Sequence, residues 1–148
     1  MTDKKKKSIL IDGAIPPEMI AKSIANHQAK TEIGAHQFFL GQVRADVVDQ
    51  KKVAAIEYTT ADESWCNEIA DQIREAAFSK YPLHCMHIYH SKGKVAVGDI
   101  CFFVLVSSTH RSAVFESLPE IVNQLKEKLP IFGKEWFEDQ TYQWKKNT

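Results

Sequence analysis

The chain has 148 residues, 44% of them hydrophobic and 26% charged, which suits one globular domain with a real core. Lys plus Arg and Asp plus Glu balance at 19 each, so no global field favours a nucleic acid or an anionic membrane, and any anion site must be local. The longest apolar run, Ile100 to Val106, is too short to span a bilayer.

The N-terminal stretch Met1 to Ser8, with four lysines from Lys4 to Lys7, has no apolar segment behind it. It reads as a disordered basic tail rather than an export signal, ahead of a single domain over 9–148. From Pro16 to about Lys30, Met19, Ile20, Ala21 and Ile24 recur at helical spacing behind paired prolines, which predicts a short first helix.

Ile33 to Arg44 is rich in aromatic and β-branched residues. It reads as a strand with Phe38 and Leu40 on one face and Phe39 on the other. Val53 to Tyr58 alternates and is the expected antiparallel partner of that strand. Thr60 and Glu63 form a capping-box pattern, and Trp65, Ile69, Ile73, Ala76 and Ala77 then predict a long helix that ends at Tyr81-Pro82.

His84 to His90 has strand periodicity, and Gly93 and Gly98-Asp99 punctuate a tight region before the next strand. Ile100 to Val106 is apolar on both parities, as in a strand buried on both faces at the centre of a sheet. Ser107, Ser108 and Thr109 offer capping oxygens to a second long helix, whose stripe runs from Val114 and Phe115 to Leu125 and Leu129. Pro119 inside it predicts a kink, or a restart capped by Ser117 with Glu120 as partner. Aromatic residues after Pro130 predict a last strand, and the whole reads as a single α+β domain.

Three cysteines, Cys66, Cys85 and Cys101, stand far apart among apolar neighbours and read as buried, reduced thiols of a cytoplasmic protein. His84, His87 and His90 do not make a metal set, because a strand turns His87 away from the other two and no cysteine pair completes a shell. Phosphate-loop, nucleophile-elbow and Cys-x-x-Cys motifs are absent, so the common nucleotide, hydrolase and dithiol chemistries are set aside.

Three less generic segments remain. Thr109-His110-Arg111-Ser112 opens a helix behind the most apolar strand. It reads either as solvent cover or as an anion site, and an arginine in the first turn opposes the helix dipole unless an anion compensates it. Gly41-Gln42-Val43-Arg44 is either a plain turn or a place where glycine admits close approach of another backbone. Leu125 to Glu135 loads a helix end with lysines, which is ordinary dipole compensation or a cationic site.

In this order the segments resemble the molybdopterin synthase large, catalytic subunit family, from about Ile33 to Glu138. The resemblance rests on Phe39 to Arg44, Ile56-Glu57-Tyr58, Gly98-Asp99, Ser107 to Glu116, and Leu125-Lys126 through Pro130 to Lys134-Glu135. It implies an α/β hammerhead fold with a mainly antiparallel sheet and flanking helices. It also implies a homodimer that binds a small ubiquitin-like sulfur-carrier subunit at each end, a heterotetramer in all.

By the same resemblance the carrier's C-terminal thiocarboxylate gives its sulfur to cyclic pyranopterin monophosphate, and two transfers build the dithiolene without metal or organic cofactor. Lys126 is implied as the catalytic residue. Gln42, Val43 and Arg44 are implied in the substrate pocket, and His110 and Arg111 at the pterin phosphate from a neighbouring protomer. Gly133, Lys134 and Glu135 complete the substrate-binding set, but the family pattern has a lysine where Gly133 stands. Either Lys134 moves into that catalytic role, helped by the freedom of Gly133, or the site works with one cation fewer and binds substrate less tightly; the first is the expectation. The rival readings are a non-catalytic module that holds a ubiquitin-like tail and an unrelated enzyme that binds a phosphate ester.

Overall fold

In the computed structural model, which describes residues 7–146, the chain order is β1 (Leu10–Asp12), α1 (Pro17–His27), β2 (Ala35–Gln42), β3 (Val47–Val48), β4 (Lys51–Thr59), α2 (Glu63–Lys80), β5 (Leu83–Ala96), β6 (Ile100–Ser108), α3 (Arg111–Lys128), β7 (Phe132–Phe137) and β8 (Tyr142–Trp144). The sheet order is β2-β6-β5-β4-β7-β8, with β1 added to β5 and β3 to β4. Every pairing except β1 with β5 is antiparallel.

The apolar run expected at the sheet's centre lies in β6, which is buried throughout from Cys101 to Ser108 but stands second from the edge, beside β2, while β5 and β4 take the middle. Its two parities feed two cores. Phe102, Val104 and Val106 pack with α2 and α3, and Phe103 and Leu105 pack with Ile15 and, from α1, Met19 and Ile20. Helices therefore cover both faces, as a strand without a polar side requires.

Val53 to Tyr58 does not pair with the first long strand. A strand apolar on both sides needs a neighbour along each edge, and β6 takes β2 on one and β5 on the other. The β4 strand pairs with β5 and β7 instead. It also makes its own hairpin with β3, whose turn residues Asp49 and Gln50 both have positive φ, 50° and 67°.

Sequence punctuation at Gly93 does not end β5. The strand runs on, using Leu83–His90 against β6 and Gly93–Ala96 against β4, with Gly93 (φ 88°) at the changeover. The turn falls at Gly98 (φ 90°). The β5 strand is thus the hinge that joins the two halves of the sheet.

Two caps differ from expectation. In α2 the N-cap is Asp62, whose carboxylate accepts from the Trp65 amide at 3.0 Å, while Thr60 Oγ1 accepts from the Asp62 amide at 3.3 Å. In α3 the N-cap is His110, with no side-chain cap, because the Ser108 hydroxyl donates to the His110 carbonyl instead.

The α3 helix continues through Pro119, with no restart at Ser117. Glu120 is spent elsewhere, accepting from Lys80 at 3.0 and 3.1 Å and from the Tyr81 hydroxyl. Trp65 and Phe115, placed by spacing in apolar stripes, are both more than half exposed.

Of the tail expected over 1–8, residues 1–6 lie outside the described residues. Ser8 is held: its hydroxyl donates to Asn67 Oδ1 at 3.4 Å, and the Ile9 amide donates to the same atom at 2.8 Å. The three cysteines are buried and free, as their spacing implied.

Candidate functional site: a cationic cleft at the end of α3

The end of β2, the last turn of α3 and the segment leading into β7 enclose a cleft of about 680 Å³. Phe39, Gly41 and Gln42 form one wall, and Leu125 to Gly133 the other. Tyr58, His90, Cys101 and Phe102 form the floor.

Gly41 makes this corner possible. A Cβ there would sit 3.0 Å from the Phe102 Cβ, so a bare glycine lets β2 close onto β6 at the register shift before Gln42. The next residue locks the turn. The Val43 amide donates to Asp99 at 3.0 Å, and the Gly98 amide donates back to Val43 at 2.9 Å. Val43 itself is core, 1% exposed, and does not line the cleft as expected.

Lys126 occupies the last turn of α3, where the dipole favours a cation. Its Nζ stands 6.0 Å from the Phe39 ring and 5.9 Å from the Phe102 ring. Burial pulls its pKa below the usual lysine value, and the neighbouring charge of Lys145 adds to this. Arg44 contributes in the same direction, and Cys101 opposes it.

The floor is held neutral. Burial lowers the His90 pKa to about 4, against the stabilising bond from its Nδ1 to the Ser91 carbonyl at 2.8 Å, and Lys126 and Lys145 lower it further. Burial also raises the Tyr58 phenol far above its ordinary value, helped by Cys101, to whose Sγ the hydroxyl donates at 3.3 Å. A partly desolvated ammonium over a partly aromatic floor is suited to an anionic or polarised acyl group.

Gln42, Arg44, Lys126, Gly133 and Glu135 meet at this cleft, as the resemblance implied. Arg44 is at the mouth, mostly exposed and 3.2 Å from Asp46. Lys134 is not in the cleft. Strand alternation turns Gly133 and Glu135 inward and Lys134 outward, where its Nζ lies 4.8 Å from the Tyr142 ring and 5.1 Å from the Trp144 ring. The expectation that it replaces the missing lysine is therefore corrected.

His110 and Arg111 also lie away from this cleft in a single chain. They stand at the other end of α3, sixteen and fifteen residues before Lys126, about 22 to 24 Å at the helical rise per residue.

Three contributors went unread in the sequence. His90 shares its parity with the core residues Met86 and Ile88, a usable signal. Tyr58 stands within the resembling Ile56-Glu57-Tyr58 stretch but with no role assigned, and Lys145 carries no signal, because strand pairing is what brings it here.

A second polar cluster lies on the other face of the sheet. A ring nitrogen of His27, a ring nitrogen of His87 and Cys85 Sγ lie within 4.8 Å of one another, a grouping that the spacing of His84, His87 and His90 did not foretell. It is satisfied internally. His27 Nδ1 donates to the Ser23 carbonyl at 2.6 Å, His87 Nε2 reaches His27 Nε2 at 3.0 Å, and Lys30 Nζ donates to Cys85 Sγ at 3.0 Å. The Lys30 ammonium already supplies the positive charge that a metal ion would bring, so the cluster reads as structural.

Fold and cleft together define an α+β open-sheet protein that presents a lysine from a helix end to an open cleft. The profile of the MoaE protein family matches residues 15–128, and the chain belongs to that family.

The molybdopterin synthase catalytic subunit of Rattus norvegicus is 33% identical over 117 residues, covering 77% of this chain and 56% of the relative. That of Pyrococcus abyssi is 31% identical over 107 residues, covering 72% of this chain and 71% of the relative. The crystal structure of molybdopterin synthase from Staphylococcus aureus superposes with a TM-score of 0.80 at 25% identity, covering 97% of this chain and 99% of that one. The chain thus spans little more than half the length of the rat relative. No helix among the described residues is long and apolar enough to cross a membrane.

Proposed function

We propose that this chain is the sulfur-transferring subunit of a cytoplasmic molybdopterin synthase. In this reading the cleft receives the C-terminal thiocarboxylate of a small ubiquitin-like carrier and directs its sulfur to cyclic pyranopterin monophosphate. The observation that carries it is Lys126, an exposed residue whose ammonium stands over Phe39 and Phe102 and is destabilised by partial desolvation in the cleft.

The chemistry follows from the charges. The thiocarboxylate sulfur forms a C–S bond to a pterin carbon that gives up a C–O bond. Water then adds to the acyl carbon as the acyl C–S bond breaks, so the sulfur stays on the pterin as a thiolate and the carrier ends as a carboxylate. Both the thiocarboxylate and the oxyanion that forms during its cleavage are negative. A fixed ammonium in a partly desolvated cleft stabilises the second more than an exposed one would. Arg44 at the mouth steers the anionic tail.

A monophosphate substrate needs further donors, and His110 and Arg111 supply them from the second copy of a homodimer. With one carrier at each end the assembly is a heterotetramer. No metal or organic cofactor takes part.

Incubating the chain with thiocarboxylated carrier and cyclic pyranopterin monophosphate tests the reading, with dithiolene formation as the expected result. A stable complex without dithiolene would instead establish a tail-binding module, the alternative that Gly133 and the outward Lys134 favour.

A further inference from the structure

We propose that Lys145 is the second cation of the cleft, set beside Gly133 by the β7–β8 pairing, and that it shares with Lys126 the binding of the anionic tail. This deepens the sulfur-transfer reading and rests on it for the nature of the tail.

Backbone geometry places the residue. The β7–β8 ladder pairs Lys134 with Trp144 and Glu135 with Gln143, and one more bond, from the Lys145 amide to the Gly133 carbonyl at 2.7 Å, carries it past the end of β8. Strand alternation then divides the side chains between two faces. Tyr142 and Trp144 lie with Lys134, whereas Gln143 reaches Glu135 at 3.4 Å and Lys145 follows it into the cleft.

Gly133 leaves the room. A Cβ at that position would lie 3.1 Å from Ile56 Cγ2, 3.5 Å from the Tyr58 ring and 3.6 Å from the Lys145 Cβ. A long side chain at 133 would have to force Ile56 aside and compete with the Lys145 stem. The absence of a side chain on β7 and the presence of an ammonium from beyond β8 are two aspects of one arrangement.

The two lysines act on each other. Lys145 lowers the pKa of Lys126, and both lower that of His90, so the charge of Lys145 reaches two separate groups of the same cleft. Among the described residues Lys145 forms no ion pair. Each ammonium disfavours the charge of the other, and an anionic tail bound in the cleft offsets that cost where a neutral group does not. That arrangement discriminates a thiocarboxylate tail from a neutral ester or amide.

The test joins a titration to the transfer assay. Lys126 is followed by ¹³C and ¹⁵N NMR of its side chain from pH 7 to 12 in the wild-type chain, in Lys145→Met, which keeps the stem and removes the charge, and in Lys145→Arg. The same proteins, with Lys134→Met as the opposite-face control, are assayed with thiocarboxylated carrier and cyclic pyranopterin monophosphate.

We expect the Lys126 pKa to rise in Lys145→Met and to stay low in Lys145→Arg. Transfer should fall about tenfold in the first, the loss of one charge-assisted contact, return in the second and remain unchanged in Lys134→Met. An unmoved Lys126 titration, or full transfer by Lys145→Met, overturns the proposal. If the wild-type chain transfers no sulfur, the functional reading fails alone, and the titration still decides whether the two lysines share a cleft.

Discussion

At the end of α3, Lys126, Lys145 and Arg44 line an open volume of about 680 Å³, whereas across the sheet His27, His87, Cys85 and Lys30 face one another. Both places contain buried histidine, a free cysteine and lysine. In the first the cationic groups flank space that a ligand can enter. In the second the polar atoms close on themselves, each histidine and the thiol already engaged. Ionisable groups in a buried setting do not define a site. What distinguishes one is charge that faces an open volume.

The most severe way to break the contrast is Lys126→Ala. Removing an ammonium that stabilises developing negative charge should cut sulfur transfer about a hundredfold. The thermal midpoint should stay near that of the wild type, since an exposed lysine at a helix end contributes little to the core. Near-normal turnover would place the chemistry elsewhere.

Arg111→Ala asks whether the cleft is completed from a second copy. Loss of a charge-assisted bond to phosphate should weaken pterin binding by about 1.5 to 3 kcal/mol, read by calorimetry on the dimer. An unchanged dissociation constant removes Arg111 from the substrate site.

Acid should strain both places alike. His87 and His90 are each held at about 4, chiefly by burial, below the ordinary value of 6.5. Their contribution to stability is therefore complete above pH 6.5 and is lost as pH falls towards 4, because the unfolded chain binds the proton first. At pH 5 the loss is about 2 kcal/mol per histidine, measurable as a falling urea midpoint. His87→Asn should flatten part of this slope and leave sulfur transfer at neutral pH intact. A loss of transfer in that variant would erase the distinction between the two clusters.

The smallest expected effect sharpens the comparison most. Lys134→Ala, on the outward face of β7, should change turnover by less than about twofold, in keeping with an exposed cation over aromatic rings.

Several of these features were legible in the chain itself. The continuous apolar run of β6 announced a strand covered on both faces, helical spacing marked α2 and α3, and Gly41 signalled a close backbone approach that its contact with Phe102 explains. The family pattern located Lys126, Arg44 and Gln42 at one cleft. It misassigned Lys134, because a motif read as a string does not say which of two adjacent residues a strand turns inward. It counted Val43 among the substrate contacts, although the backbone bonds that fix this turn bury that side chain.

Local periodicity and turn chemistry depend on residues a few positions apart, and the sequence by itself determined them: which segments are helix or strand, which strand is covered on both faces and which helix end carries the lysines. Pairing between distant strands depends on how the core closes, and only the tertiary structure decided it. That closure brought β4 against β5 and β7, carried His27 and Cys85 to His87, and set Lys145 beside Gly133. The physical reason is that backbone hydrogen bonding is nearly indifferent to sequence, so a strand's partner is selected by the burial of its faces rather than by its own residues.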